Sequence, residues 1–219
     1  MHISEGYLPV VHCALWAAVS APFVLDGARR LNAASSRPEL RLRIAAAAGF
    51  LLLLTALKLP SVAGSSSHPA GVALAAILLG PRLVPVMALV VLVLQALLLA
   101  HGGLTTLGAN VFSLGIAGPF TAWGIWRAAQ AAGAGRTLAG WAAALVSSIA
   151  VYGIASLQLA LAFPDPLSGI VGALARFAFV FAWTQVPIAV AEGFLTVAAL
   201  RLLDRPAAGA TLALRQEAS

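Results

Sequence analysis

The pair Met1-His2 offers three nitrogen donors in a few atoms of chain: the Met1 amine, the backbone amide nitrogen of His2 and the His2 imidazole. Around one divalent ion they close two adjacent chelate rings. The amine can ligate only at a true amino terminus, because any preceding residue converts it to an amide. The bulk of His2 disfavours enzymatic trimming of Met1, so the amine is expected to survive. Imidazole is the commonest protein ligand for late first-row metals. The lone Cys13 excludes an internal disulfide and a thiolate cluster.

The other histidines are His12, His68 and His101. His68 follows Ser65-Ser66-Ser67 and precedes Pro69, which biases it toward extended backbone. Pro69 suits the first position of a helix, which predicts His68 as an N-cap with its ring over the helix end. The serines, Ser66 among them, can orient a neighbouring ligand or cap that helix. The alternative is a surface histidine with no metal role. His101 opens the turn His101-Gly102-Gly103-Leu104-Thr105-Thr106, where Thr105 or Thr106 can cap the next helix. Asn110 then sits one turn inside it, where a buried amide needs a partner. We expect His101, Asn110, Ser66 and Thr105 to orient the ligands through hydrogen bonds rather than to ligate. The alternative is a tight turn with polar caps. His12 reads as a hydrogen-bonding interfacial residue.

Of 219 residues, 61% are hydrophobic and 9% charged, and the mean hydropathy is +0.98. Soluble domains carry roughly 25% charged residues. The chain is therefore expected to be an all-α integral membrane protein, one transmembrane domain over residues 1–219. There is no basic region followed by a cleavage site, so the first apolar stretch should remain as a helix. Apolar segments occupy 9–27, 43–62, 67–82, 83–101, 105–127, 138–162 and 172–202. The third is short, ~24 Å of helix at the standard rise, and a re-entrant segment is the alternative. Basic residues decide for seven spans. With the N-terminus outside and the C-terminus cytoplasmic, all of the 13 Lys and Arg except Lys58 and Arg176 fall in inner loops, as the positive-inside rule requires. The +6 net charge is then a topological signal with attraction to anionic lipid, not a nucleic-acid footprint. All four histidines fall at the outer end. No Walker A pattern, His-Glu-x-x-His motif or nucleophile–base constellation is present.

The opening Met1-His2-Ile3-Ser4-Glu5-Gly6-Tyr7-Leu8-Pro9, the run Gly64-Ser65-Ser66-Ser67-His68-Pro69-Ala70-Gly71 and the block from Gln95 through His101 to Asn110 resemble the substrate-capture subunits of cobalt/nickel energy-coupling factor transporters, the CbiM/NikM type. Blocks 156–166 and 184–193 agree, so the likeness spans nearly the whole chain. It implies that the Met1 amine, the His2 amide nitrogen, the His2 ring and the His68 ring bind one divalent ion, with Glu5, Gly6 and Tyr7 shaping a tail tucked into the bundle. It implies a non-enzymatic transport component of the bacterial inner membrane. Its partners would be a transmembrane coupling subunit, ATPase subunits and a small accessory membrane subunit. The tail and the Ser-Ser-Ser-His-Pro loop look like the cobalt branch, so Co²⁺ destined for cobalamin synthesis is the expected cargo. Ni²⁺ is the alternative, because a deprotonated amide donor suits it better. A membrane scaffold or secondary carrier without a metal site is the competing class. Glu192 is the deepest ionisable group, read as a hydrogen-bonded structural residue or a contact to the coupling subunit.

Overall fold

The structure, a computed structural model, describes residues 1–34, 36–57, 59–60 and 65–203. Lys58, Gly64, Arg205 and Arg215 lie outside them. In chain order the elements are β1 (His2–Ile3), α1 (Val10–Ala34), α2 (Pro38–Ala56), β2 (Leu59–Pro60), β3 (Ser65–Ser67), α3 (Val72–Leu79), α4 (Val84–Leu99) and α5 (Leu107–Asn110). A π-helical turn, Val111–Ala117, leads into α6 (Gly118–Ala131), followed by α7 (Arg136–Ala162) and α8 (Gly169–Leu203). The pieces α5, π turn and α6 run on without a break, so the helical rods among the described residues number seven.

Among the described residues three helices, α1, α7 and α8, are long and apolar enough to cross a membrane, and α4 is a shorter apolar helix. Large side chains such as Leu53, Leu98, Phe179, Trp183 and Phe194 stand exposed around the bundle. An apolar surface of that extent marks a membrane-facing protein. Inside, the rods meet over small residues, among them Ala47, Ala73, Ala76, Ala88, Ala122 and Ala144. Small residues let backbones approach closely where lipid supplies no hydrophobic drive between helices.

The third segment differs from expectation. It is helical only over Val72–Leu79, about 12 Å of rise, and neither His68 nor Pro69 belongs to the helix. The N-cap is Gly71, at φ +71°, a left-handed conformation that glycine adopts without penalty. Residues before it run extended. Non-helical backbone at membrane depth is tolerated only where protein satisfies its polar groups. Here β3 pairs with β1 and β2 in a three-stranded antiparallel sheet of order β1-β3-β2. The N–H groups of Ala70 and Gly71 go to the carboxylate of Glu192 in α8.

Two further boundaries move outward. α1 continues to Ala34 and α2 begins at Pro38, so the expected inner loop 28–42 is largely helical. Hydropathy marks where an apolar environment stops, whereas Arg, Leu and Ala sustain helix beyond it. Pro38 at the first turn, with Glu39 beside it, suits the N-terminal dipole and its unpaired donors.

Arg82, Arg136 and Arg201 sit at the opposite helix ends from the histidines, whereas Arg176 lies at the histidine end, paired with Asp165. Near the C-terminal half of α1, Asp26 accepts from Arg30 and, through both oxygens, from Arg82 in the turn before α4. Arg201 near the end of α8 donates to Thr137 at the start of α7. His2 precedes α1, and His101 follows α4.

Candidate metal centre

His2, His68 and His101 come from three separate connections, yet one ligand-capable nitrogen from each lies within 4.8 Å of the others. The ring centroids are 4.2 Å apart for His2 and His68, 4.8 Å for His2 and His101, and 5.1 Å for His68 and His101. All three side chains are buried. Nitrogens about 2 Å from one ion stand roughly 2.9–4.2 Å apart, so a pair at the 4.8 Å limit would close by about 0.6 Å or more to share one.

The tail is seated residue by residue. Pairing places His2 opposite Ser66 and Ile3 opposite Ser65. Asn110 clamps Ile3 from the other side: its Oδ1 accepts the Ile3 N–H at 2.8 Å and its Nδ2 donates to the Ile3 carbonyl at 3.0 Å. The Thr106 hydroxyl donates to the same carbonyl at 2.8 Å. The Glu5 N–H donates to the Gly102 carbonyl at 3.0 Å. Thr105 donates its N–H to the Glu5 carboxylate and accepts the Gly6 N–H on its hydroxyl. A bond from the Thr105 side chain, then those from the Thr105 and Leu104 N–H groups, hold the Glu5 carboxyl below its usual range, against partial desolvation. A Cβ on Gly103 would lie 2.5 Å from the Glu5 Cα, so only glycine admits the tail there. The Tyr7 ring meets Phe163 edge-on at 5.5 Å, and Leu8 is buried.

Each imidazole has a defined setting. His68 Nδ1 lies 2.8 Å from the Pro69 carbonyl. A carbonyl only accepts, so Nδ1 carries the proton and Nε2 keeps the lone pair. That Nε2 and both ring nitrogens of His2 are buried and have no hydrogen-bond partner among the described residues. Buried polar atoms are almost always satisfied, so unpartnered nitrogens on two neighbouring rings fit a metal ion. His101 Nε2 lies 2.6 Å from the Ser66 hydroxyl, which fixes its ring beside the other two.

The electrostatics favour neutral donors. Burial lowers the Met1 amine from 8.0 to about 5, against the opposing charge of Glu192. Burial, then the neighbouring His68 and the Met1 amine, push His2 well below the usual histidine range. Near neutral pH the site therefore offers lone pairs rather than protons.

Met1, His2 and His68 are thus brought together, and Ser66 touches the cluster. Two placements differ from the expected ones. His101 stands at the same range as the other rings, not behind them. Thr105 is exposed and anchors Glu5 and Gly6. Asn110 acts on the backbone of Ile3. His12 lies apart, with Nε2 3.3 Å from the Leu161 carbonyl. Sequence reasoning missed Thr184 and Gln185, whose side chains hydrogen-bond the Ser67 hydroxyl at 2.9 and 2.6 Å and tie β3 to α8. Their signal was polarity within an otherwise apolar helix. Asn110→Ala should remove both clamps on Ile3. The expected cost is about 2 kcal/mol, read as roughly thirtyfold faster hydrogen exchange of the tail amides.

Comparison with known proteins agrees with this picture. Residues 2–208 match the family model CbiM, the cobalt uptake substrate-specific transmembrane region. The chain is 49% identical over 210 residues to the cobalt transport protein CbiM of Streptomyces coelicolor, covering 95% of this chain and 90% of that one. It is 50% identical over 206 residues to cobalt transport protein CbiM 1 of Pelobacter propionicus, covering 94% and 91%. A crystal structure of a truncated transition metal transporter superposes with a TM-score of 0.80 at 25% identity, covering 93% of this chain and 98% of that one. A buried nitrogen cluster in a membrane bundle and a match along nearly its whole length lead to one conclusion: this chain belongs to the CbiM family of cobalt uptake substrate-specific transmembrane proteins.

Proposed function

We propose that this chain is the substrate-specific component of an ATP-driven energy-coupling factor importer and captures Co²⁺ at the outer face of a bacterial inner membrane. Residues 1–219 act as one capture domain, with the N-terminus outside and the C-terminus in the cytoplasm. The ligands are the Met1 amine, the His2 amide nitrogen, His2 Nδ1 and His68 Nε2. The His2 choice follows from ring size: amine and amide close a five-membered chelate, and amide and Nδ1 a six-membered one. His101, braced by Ser66, is a further donor within reach. The observation that supports this reading is the set of buried, unpartnered nitrogens on His2 and His68. The segregation of Arg82, Arg136 and Arg201 to the opposite helix ends from the histidines supports the orientation.

The chain has no Walker A pattern, so the energy comes from partners: a transmembrane coupling subunit, ATPase subunits and a small accessory membrane subunit. Cobalt delivered this way feeds cobalamin synthesis. A Ni²⁺ cargo is the second reading. It is favoured by an all-nitrogen donor set that includes an amide, which ranks Ni²⁺ above Co²⁺ in affinity.

Ligation requires the amide to lose its proton, so binding must weaken on acidification. The Met1 amine is already neutral above about pH 5. From pH 8 to 6 one proton is released per ion, and affinity should fall about tenfold per pH unit. Below about pH 5 the amine also competes for protons, and the slope should steepen toward a hundredfold per unit. Competition titrations against a chelator of known protonation test this. A flat profile between pH 6 and 8 would remove the amide from the ligand set.

A further inference from the structure

Charge in the proposed site does not balance on its own ligands. Neutral imidazoles, a neutral amine and one deprotonated amide leave a divalent ion with one residual positive charge. In a buried, low-dielectric setting an uncompensated charge is costly. Among the described residues, Glu192 is the fully buried acid. Glu5 and Glu39 are exposed, and Asp26 and Asp165 are ion-paired away from the histidines.

Glu192 also reaches the ligand-bearing segment. One carboxylate oxygen accepts the Ala70 N–H at 2.6 Å and the other the Gly71 N–H at 2.8 Å. These residues lie two and three positions after His68. The charge of Glu192 is close enough to act on the Met1 amine, at the other end of the proposed ligand set. Two backbone N–H groups and the Ser148 hydroxyl solvate the carboxylate, as an acid at the start of a helix is solvated, but these dipoles leave its full charge inside the bundle. A cation at the adjacent histidines supplies what is missing.

On the reading of the metal site proposed above, we infer that Glu192 is the counter-charge of the bound ion. It does not ligate. It balances the residual charge and holds the His68 segment through Ala70 and Gly71, and is thus a positioning residue for capture.

The test measures Co²⁺ affinity by chelator competition on full-length protein with its native amino terminus, alongside Glu192→Asp, Glu192→Gln and His68→Ala. A counter-charge predicts an order. Asp keeps the charge on a shorter arm and loses about tenfold, whereas Gln keeps the length without the charge and loses on the order of a hundredfold. A merely structural cap predicts the reverse, because Gln still reaches one donor and Asp reaches neither well. Gln binding as tightly as Asp, or within about threefold of native, overturns the inference. Normal binding by His68→Ala would instead overturn the site itself, so the two failures are distinct. Infrared difference spectra of native protein with and without Co²⁺ need no variant to fold. A shifted stretch of a buried ionised carboxylate is expected, and no carboxylate band at all overturns the proposal.

Discussion

Replacing His68 with alanine should lower Co²⁺ affinity by at least on the order of a thousandfold, beyond the 10–100-fold typical of groups that only orient a ligand. The bundle should stay folded. His68 sits in an extended run outside α3, so its ring supports no helix cap. The backbone around it is held by Glu192, and the preceding Ser67 by Gln185 and Thr184. Removal therefore deletes a donor without loosening its frame. His101→Ala should cost less, because that ring lies outside the proposed chelate and acts on the cluster beside Ser66. Equal losses at both positions would make His101 a ligand of the same standing. Retained stoichiometric binding by the His68 variant would sink the assignment.

Extending the chain by one glycine before Met1 should abolish high-affinity binding altogether. The added residue converts the amine to an amide and breaks the five-membered ring, which removes the chelate advantage from the His2 donors as well. It also meets a steric limit. Met1 is 1% exposed and His2 0%, and Ile3 is fixed by Asn110 and Thr106. The extra residue has no room unless β1 slips. A slip of one residue turns the His2 ring to the opposite face of the strand. Chemistry and register thus fail together, and the loss should exceed that of any single outer hydrogen bond. A carrier or scaffold without the chelate would tolerate the extension.

The number of rods among the described residues was legible because each begins from its own apolar run. The histidines were legible as a group because helices of alternating direction return every second connection to the same end. Finer features were not. Strands of two or three residues, such as His2–Ile3 and Ser65–Ser67, carry no periodicity. They exist because a tail and a loop find each other across the fold. The start of α3 was misplaced because Pro69 reads as a helix opener, whereas the glycine two residues later needs a positive φ and delays the helix to Val72. The π turn at Val111–Ala117 has no sequence signature, yet it follows directly on Asn110, at the kind of place where such turns gather.

Side-chain roles divided similarly. Asn110 was recognisable as a buried amide in need of partners, but its partner is the backbone of Ile3, which no spacing rule reaches. Thr105 reads as a neighbour of the ligands and instead binds Glu5 and Gly6, because the tail passes over the turn rather than into it. Glu192 stood out as an ion in an apolar helix. That it would seize the Ala70 and Gly71 amides depended on α8 lying against the third segment.

The central claim is an amine-anchored nitrogen chelate, and the metal content of purified protein tests it most directly. Protein with its native amino terminus and protein carrying one added leading glycine are loaded with Co²⁺, desalted and assayed for bound metal. One ion per native chain and essentially none in the extended form are expected. Equal metal in both would contradict the chelate and move the site away from Met1.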